Sequence, residues 1–401
     1  MNQTKRRAVI TGLGTLNPLG NDVTTTWQKI AAASDYKTRF AGEVREFDPV
    51  ELYGRKDARR MSRVTQLALA ATDQALADAQ LTIGNGSNND IGVIIGSGMG
   101  SLDPVIDNLN TLNERGHKRV SPFFVPMMLA DTPAATISIN YGLRGINMSI
   151  ATACATGNNV IGEAAKIIQR GAADVMIAGG SEACILPLVF AGFSVMGALS
   201  TRNDDPQRAS RPFDQDRDGF VTSEGAAVLI IEERERALAR GAHIYGEVLG
   251  YGTSADAYHI SMPAENGEGA VLAMQMALND AGLAPTDIDY INAHGTSTEL
   301  NDKGETAAIK TVLGEHAYNV PVSSTKSMHG HLLGAAGVLE ALICLKSMEH
   351  GLLPPTINYE TPDPRCDLDY VPNTARPAAI NTIMSNGFGL GGHIATIILA
   401  K

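Results

Sequence analysis

The chain has 401 residues, 44% of them hydrophobic, and a formal net charge of −11 at neutral pH. This length allows one large core or two fused domains, and the acidic balance argues against nucleic acid as the main partner, because a phosphate backbone attracts basic surfaces. No apolar run reaches membrane-spanning length, and the four scattered cysteines fit neither a disulfide framework nor a zinc site, so we expect a cytoplasmic protein with free thiols and no membrane contact.

Short β-branched segments alternate with longer segments of helical periodicity. The strand-like segments of the first half are, in order, RRAVITGLG, DIGVIIGSG, NMSIATA and DVMIAGG. Apolar strands separated by helices are typical of an α/β protein with a largely buried sheet and helices on both faces. The first segment leads into TGLGTLNPLG, which resembles a dinucleotide-binding loop, but Asn17 occupies the third glycine position and the fingerprint fails.

A basic segment, GRKDARRMSR, follows the first predicted strand. Its cations Lys56, Arg59, Arg60 and Arg63 have helical spacing and would share one face. Such a face fits a docking site for an acidic partner, and it fits a solvated helix surface equally well.

Cys154 lies in the segment SIATACATGNNVIGEAAKIIQRG, between a predicted strand and a predicted helix. A packing role is the more common one for a free cysteine. A thiol at a helix N-terminus also faces the positive end of the helix dipole, which would lower its pKa from about 8.5 to about 7–7.5. With a nearby imidazole, Cys154 would then be a nucleophile.

The chain repeats itself at a spacing of about two hundred residues. The segment ALADAQL followed by NNDIGVIIGSG resembles ALNDAGL followed by PTDIDYINAHG, and MSIATACATGNNVIGEAAKII resembles VPVSSTKSMHGHLLGAAGVLEALICL. This period is too long for a solenoid and indicates two similar halves, residues 1–245 and 246–401. Each half should bring its strand-to-helix loops to a shared centre, where ligands of α/β sheets bind.

The second half supplies the histidines that such a centre needs. His294 follows a predicted strand in YINAHGTSTELND, and STKSMHGHLLGAAG carries Lys326, His329 and His331. A lone histidine is usually structural, but two equivalent strand ends that each present one favour a site. Phe388 lies between glycines in MSNGFGLGGHIATIILA, where backbone N–H groups could approach a ligand, although a tight turn has the same pattern. The histidines match no metal signature such as HExxH, so no metal is expected.

Four motifs together, TACATG, NAHGTST, SSTKSMHGHLLGAAG and NGFGLGG, resemble those of the β-ketoacyl-[acyl-carrier-protein] synthases, most closely the synthase II branch. The resemblance covers almost the whole chain. It implies a thiolase-like fold, with two βαβαβαββ halves forming a five-layered αβαβα core. It also implies a decarboxylative Claisen condensation of an acyl thioester with malonyl-[acyl-carrier-protein] in fatty acid elongation. No cofactor is implied, because the substrates carry phosphopantetheine.

The resemblance also implies roles for individual residues. Cys154 would be the acyl-accepting nucleophile, with His294 and His331 as the histidine pair that stabilises the enolate. Phe388 would gate the site, and its backbone N–H would join that of Cys154 in the oxyanion hole. The remaining assignments are an electrostatic pair (Lys326, Glu340), the acyl pocket (Phe193, Val105), the pantetheine site (Thr296, Thr298) and the face that docks acyl carrier protein (Lys56, Arg59, Arg60, Lys118, Arg119).

Near relatives differ at these positions. A thiolase would have a second cysteine where this chain has Phe388, and synthase III would have asparagine in place of His331. A homodimer is expected for synthase II. The alternative is the ketosynthase subunit of a type II polyketide or polyene system, paired with a chain-length factor in a heterodimer. A non-catalytic assembly subunit is disfavoured because Cys154 and both histidines are present.

The chain departs from the family pattern at three places. Ala33 meets Ser34 directly, where the family has about a dozen further residues. The family's GFVxGEGAG reads GFVTSEGAA. In the C-terminal glycine loop, Leu390 and Ile394 replace the usual residues, and we expect these changes to affect substrate choice and gating.

Overall fold

The computed structural model describes residues 6–31, 41–84 and 88–401; the Ala33–Ser34 junction lies outside them. Within the described residues the strands are β1 (Ala8–Leu16), β2 (Ala41–Gly42), β3 (Ile91–Gly96), β4 (Asn147–Met148), β5 (Val175–Glu182), β6 (Thr222–Ser223), β7 (Gly225–Glu233), β8 (Gly246–Ala255), β9 (Tyr290–Asn292), β10 (Val322–Ser323), β11 (Leu352–Leu353), β12 (Arg376–Pro377), β13 (Thr382–Gly389) and β14 (His393–Ala400). All four strand-like segments of the first half are therefore confirmed, as β1, β3, β4 and β5.

The α-helices connect these strands. In the same described ranges they are α1 (Val23–Ala31), α2 (Pro49–Ala58), α3 (Arg63–Asp78), α4 (Asp103–Arg115), α5 (Phe124–Met128), α6 (Thr132–Tyr141), α7 (Thr156–Gln169), α8 (Pro187–Val195), α9 (Arg234–Ala239), α10 (Glu268–Ala281), α11 (Glu299–Leu313), α12 (Lys326–His329) and α13 (Ala336–His350). None of these helices of the described residues could span a membrane.

Ten strands form one hydrogen-bonded order, β10-β9-β13-β14-β8-β1-β7-β5-β3-β4. The two halves meet where β1 pairs with β8, through Val9 opposite Glu247 and Ile10 opposite Gly246. Outward from this junction, β1-β7-β5-β3-β4 of the first half matches β8-β14-β13-β9-β10 of the second. The internal repeat read from the sequence is therefore present in the sheet.

Helices form three layers around these strands. Helices α7 and α13 contact each other and strands of both halves, while α3 and α6 cover the outer face of the first half and α10 covers that of the second. The largest apolar cluster contains side chains from both central helices and from strands of both halves. The result is the five-layered αβαβα core expected from the resemblance.

Glycines bring α7 and α13 into close contact. A Cβ atom added at Gly157 would lie 2.7 Å from the backbone nitrogen of Val338, and one added at Gly337 would lie 2.0 Å from Oδ1 of Asn158. Only glycine allows backbones this close. The crossing therefore holds the N-terminal ends of the two helices, and the turns before them, next to each other.

Candidate active site

Cys154 lies in the turn that leads into α7. The preceding residue, Ala153, has φ of 49°, a conformation that few residues other than glycine adopt. The second half repeats this turn before α13, where Leu333 has φ of 47° and Gly334 occupies the place equivalent to Cys154. The nucleophile therefore belongs to one half only.

The surroundings of the Cys154 thiol differ from the expectation of a lowered pKa. The side chain is 9% exposed, and burial raises the pKa of Cys154 to about 12, although the charge of Lys326 and a backbone hydrogen bond from Leu390 both act to lower it. The prediction of a pKa near 7 is wrong. The loss of hydration on burial raises the pKa of Cys154 by more than the helix dipole would lower it. With its pKa raised this far, the Cys154 thiol is neutral at pH 7.

His294 and His331 lie side by side, with ring centroids 5.4 Å apart and planes at 82°. Both are buried, and burial together with the nearby Lys326 charge holds their pKa values well below the usual range. The Nδ1 atom of His331 accepts a hydrogen bond from the Leu333 N–H at 3.3 Å, so its proton is on Nε2. Both rings are therefore neutral, and they can donate hydrogen bonds without carrying charge.

A buried carboxylate, that of Glu305 on α11, fixes the backbone at His294. It accepts the N–H groups of His294 and Gly295, both at 2.8 Å, and the side-chain amide of Asn386 at 3.1 Å. Burial raises the pKa of Glu305 to about 7, with these three donors opposing the shift. The sequence reasoning missed this residue.

Glu182, at the end of β5, anchors the neighbouring backbone in the same way. Its carboxylate accepts the N–H groups of Gly98 at 2.8 Å, Gly334 at 3.0 Å and Met99 at 3.2 Å, and the hydroxyl of Ser97 at 2.8 Å. It therefore ties the loop after β3 to the turn before α13. This residue was also missed.

Lys326 and Glu340 form an ion pair in which each side chain is 1% exposed. Despite the ammonium group, burial raises the pKa of Glu340 to about 7. The positive charge of Lys326 lowers the pKa of Cys154, His294 and His331 alike. The expected pair is present, and its cation acts on all three groups.

His329, the third histidine of this region, is structural. Its Nε2 atom lies 2.9 Å from the Thr325 hydroxyl, and its Nδ1 atom lies 2.7 Å from the Gly330 carbonyl oxygen. Both ring nitrogens are therefore occupied. Among the described residues, no group of three or more histidine, cysteine and carboxylate side chains is placed to hold a metal ion.

One cavity of about 610 Å³ collects most of the predicted site. Its lining includes Cys154, His294, His331, Phe388, Thr296, Thr298 and Phe193. The two threonine hydroxyls lie 3.0 Å apart. Phe220, which was not predicted, also lines the cavity, and its ring contacts those of both Phe193 and His331 edge to face.

Comparison with known proteins shows to which family the chain with this cavity belongs. The model of the β-ketoacyl synthase N-terminal domain matches residues 5–237, and that of the C-terminal domain matches residues 245–360. The chain belongs to the β-ketoacyl synthase family. A 3-oxoacyl-[acyl-carrier-protein] synthase 2 of Synechocystis sp. is 49% identical over 412 residues, and one of Staphylococcus aureus is 50% identical over 413; each match covers 100% of this chain and 99% of the relative.

Solved structures agree with this membership in the β-ketoacyl synthase family. A β-ketoacyl synthase from Burkholderia phymatum has a TM-score of 0.91 at 36% identity, covering 99% of both chains. A ketosynthase complex named as a type II polyketide synthase acyl-carrier protein with its ketosynthase has a TM-score of 0.91 at 35% identity, covering 99% of this chain and 100% of that one. The fold is the thiolase fold.

The glycine loop of this β-ketoacyl synthase differs in detail from the expectation. Phe388 lies on β13, half-buried, with its ring centroid 5.3 Å from that of His294. The backbone group that hydrogen-bonds the Cys154 sulfur is that of Leu390, two residues further along. Leu390 is 41% exposed and lines the cavity. The gate and oxyanion role of Phe388 stays a prediction, and Leu390 is a second candidate for both.

Val105 is the predicted acyl-pocket residue that the structure does not bring to the cavity. It is half-buried on α4, and it is not among the side chains that line the cavity with Phe193. Its role in the acyl pocket stays a prediction.

A basic groove, defined by Arg55, Lys56, Arg59, Arg60 and Phe123, has a volume of about 420 Å³. The guanidinium of Arg60 lies 4.7 Å from the centroid of the Phe123 ring. In the described parts of the chain none of its four cations has an ion-pair partner. The same holds for Lys118 and Arg119, which are exposed in the 3-10 turn at 117–119.

Arg63 does not share this face, contrary to the prediction. It begins α3, a separate helix from α2, and its guanidinium donates two hydrogen bonds to the buried Glu224 at 2.7 and 2.6 Å. The helical spacing from Lys56 to Arg63 was misleading because the chain breaks between the two helices.

Proposed function

We propose that this β-ketoacyl synthase joins an acyl group to malonyl-[acyl-carrier-protein] and releases 3-oxoacyl-[acyl-carrier-protein] and CO₂, as an elongation step of fatty acid synthesis. The observation that carries the proposal is the convergence of one thiol, Cys154, and two neutral imidazoles on a single cavity. The relatives named 3-oxoacyl-[acyl-carrier-protein] synthase 2, at about half identity over the full chain, support it.

The first half-reaction transfers the acyl group to Cys154. The sulfur attacks the thioester carbonyl, the S–H proton is lost, and the released pantetheine thiol gains a proton, so one thioester replaces another. Backbone N–H groups of Cys154 and of the glycine loop at 388–390 would hold the tetrahedral oxyanion. Because the resting thiol is neutral, Lys326 contributes by favouring the thiolate as the proton leaves.

The second half-reaction uses the histidines. Loss of CO₂ from the malonyl group leaves an enolate, whose oxygen accepts hydrogen bonds from His294 and His331. Its carbon attacks the Cys154 thioester, the acyl C–S bond breaks, and the released Cys154 thiolate takes a proton from solvent. A neutral imidazole is a suitable donor here, because an oxyanion needs an N–H group rather than a fixed charge. Decarboxylation generates the carbanion, so the reaction needs neither a strong base nor a bound cofactor.

The substrates would enter through the mouth of the cavity on their pantetheine arm. The hydroxyls of Thr296 and Thr298, which line the cavity, would bind this arm, and Phe193, with Val105 as a further candidate, would line the acyl pocket. The basic groove with Lys118 and Arg119 would dock the acidic carrier protein, because its cations lack ion-pair partners among the described residues. The cysteines are unpaired, which suits a reducing cytoplasm.

A homodimer is part of this proposal. Within residues 6–31, 41–84 and 88–401, β4 ends the ten-strand order and its outer edge pairs with no further strand, so a second copy can pair there. Large apolar side chains are exposed on β4, α5 and α8, namely Met148 at 39%, Val125 at 59%, Leu188 at 65% and Val195 at 90%. We propose that they are covered in the homodimer, because larger exposed apolar surfaces mark association sites.

The alternative is a ketosynthase of a type II polyketide or polyene system, paired with a chain-length factor. A ketosynthase solved with a type II polyketide synthase acyl-carrier protein and the ishigamide ketosynthase/chain length factor share the fold, each at 35% identity. The relatives named for the synthase 2 activity share about half of their residues with this chain, so elongation of fatty acids is better supported.

The deciding experiment combines acyl-carrier proteins of graded chain length with malonyl-carrier protein and analyses the products by mass spectrometry. We expect each accepted acyl chain to gain two carbons as a 3-oxoacyl product. Native mass spectrometry of the same sample should show a homodimer that is active alone. Activity that requires a second, different subunit would favour the polyketide alternative, and an absence of any condensation product would overturn the proposal.

A further inference from the structure

Two hydrogen bonds connect a tyrosine of the second half to the turn that carries Cys154. The hydroxyl of Tyr251, on β8, donates to Oδ1 of Asn159 at 2.7 Å. The Nδ2 group of Asn159, on α7, donates to the hydroxyl oxygen of Thr152, also at 2.7 Å. Thr152 lies two residues before Cys154, so the relay ends at the base of the nucleophile turn.

Thr152 controls the geometry of that turn. Its N–H donates to the Thr156 hydroxyl at 2.8 Å, and its carbonyl oxygen accepts the Ala155 N–H at 3.1 Å. The next residue has positive φ, which costs energy and persists only where surrounding contacts hold it. A Cβ added at Gly389 would lie 2.6 Å from the Thr152 oxygen and 3.1 Å from the Cys154 nitrogen, so the turn packs directly on the glycine loop.

Tyr251 is held firmly enough to act as the fixed end of the relay. Its ring lies against Gly162, where an added Cβ would come within 2.3 Å of a ring carbon. Its backbone N–H donates to Asp280 at 3.0 Å, and Asp280 pairs with Lys166 of α7 at 2.5 Å. Burial and the nearby Glu163 carboxylate raise the pKa of Tyr251, so its hydroxyl remains a donor throughout the working pH range.

We infer that Tyr251 is a positioning residue for the nucleophile, acting through Asn159 and Thr152. The inference rests on the proposed role of Cys154. Through this relay the second half holds the Cys154 turn, in addition to supplying both histidines. The relay ends at the turn and has no hydrogen bond to either histidine, so it should affect acyl transfer and not decarboxylation.

The test compares Tyr251→Phe, Thr152→Val and the double variant. Acylation of Cys154 by octanoyl-pantetheine is followed by intact-protein mass, and CO₂ release from malonyl-carrier protein is measured separately. We expect each single variant to acylate roughly tenfold more slowly, the rate equivalent of one net hydrogen bond. The double variant should lose little more than the slower single one, because both changes break the same relay. Decarboxylation should stay close to the wild-type rate.

Two controls separate positioning from folding. Tyr245→Phe removes another tyrosine hydroxyl, one that donates to Asp78 and has no link to the turn, and should acylate normally. Thr152→Ser keeps the hydroxyl and should restore most of the rate. Normal acylation by Tyr251→Phe, additive losses in the double variant, or an equal loss of decarboxylation would each overturn the inference.

The rate of iodoacetamide alkylation of Cys154 is measured on the same variants, because it requires a positioned thiol but no carrier chemistry. We expect slower alkylation in Tyr251→Phe, and unchanged alkylation would overturn the inference. A wild-type protein that octanoyl-pantetheine fails to acylate would count against the proposed function, while the alkylation rates would still decide the role of Tyr251.

Discussion

At the scale of single residues, Cys154 differs from the other cysteines in its access to the cavity. It is 9% exposed and lines the cavity, whereas Cys184, Cys344 and Cys366 are at most 1% exposed. Burial raises the pKa of all four thiols. Access, and not a low pKa, therefore distinguishes the nucleophile.

This difference predicts a selective, pH-dependent alkylation. We expect iodoacetamide to label Cys154 alone in the folded protein. Because the pKa of Cys154 is raised to about 12, its thiolate fraction and its rate of labelling should rise roughly tenfold per pH unit from pH 7 to pH 9. Peptide mapping by mass spectrometry at a series of pH values measures both effects. A rate that levels off near pH 8, or equal labelling of Cys184, would contradict the prediction.

Motifs located the reacting residues, but the sequence did not reveal what holds them. Cys154, His294 and His331 stand in recognisable patterns, and all three reach the cavity. Glu182 anchors Gly334, which is 152 positions away, through a contact that exists only in the folded chain. The direction of the Cys154 pKa shift was wrong for the same reason, since burial depends on segments remote in sequence.

At the scale of elements, the basic groove is assembled from two parts of the chain. Helix α2 and the residues after it supply the four cations, and the segment before α5 supplies Phe123. The charge pattern identified Lys56, Arg59 and Arg60 but not Arg55, and the break between α2 and α3 was not visible in it. Arg63 has helical spacing and yet turns away from the groove, because its half-buried side chain pairs with the buried Glu224.

The groove predicts a substrate-dependent effect of charge reversal. In Lys56→Glu/Arg60→Glu we expect the KM for carrier-bound substrates to rise by roughly tenfold or more, because only the carrier brings acidic groups to this surface. The KM for short pantetheine thioesters should change little. Steady-state kinetics with both substrate classes, at low and high salt, measures the difference, which salt should reduce.

The matched control for charge reversal is Arg170→Glu. Arg170 is an exposed cation at the C-terminal end of α7, roughly 20 Å along the helix from Cys154. It should leave both KM values unchanged. If the KM values for carrier-bound and free thioesters rise equally in the Lys56→Glu/Arg60→Glu variant, the groove supports the structure of the site and does not dock a carrier.

At the scale of the whole molecule, the two halves are alike in fold and unlike in chemistry. The repeat was visible in the sequence because each half needs the same apolar strands and glycine-rich helices. The boundary at residues 245 and 246 stays a prediction, and β8 begins at Gly246. The pairing of β1 with β8 was not predictable from the sequence. It consists of two residues of each strand, and so short a segment has no distinctive pattern.

The difference between the halves predicts that the two half-reactions can be separated. Cys154 belongs to the first half, and the position equivalent to it in the second half is Gly334, while both histidines belong to the second. Cys154→Gln should abolish condensation, because no acyl-enzyme forms, and should leave decarboxylation of malonyl-carrier protein measurable. His294→Ala or His331→Ala should lower decarboxylation by roughly 10²–10³-fold, the usual effect of losing one oxyanion donor.

Release of CO₂ from malonyl-carrier protein by each purified variant measures this division. His243→Ala is the matched control, since His243 is an exposed histidine whose side chain is 62% accessible and does not line the cavity, and it should decarboxylate at the wild-type rate. Because burial holds the pKa values of both histidines well below the usual range, any change in decarboxylation between pH 6 and pH 8 should come from Glu305 and Glu340, whose pKa values are raised to about 7, and not from the histidine rings. If Cys154→Gln lost decarboxylation as completely as the histidine variants, or if either histidine variant kept full activity, the enolate would not be stabilised by the second half alone.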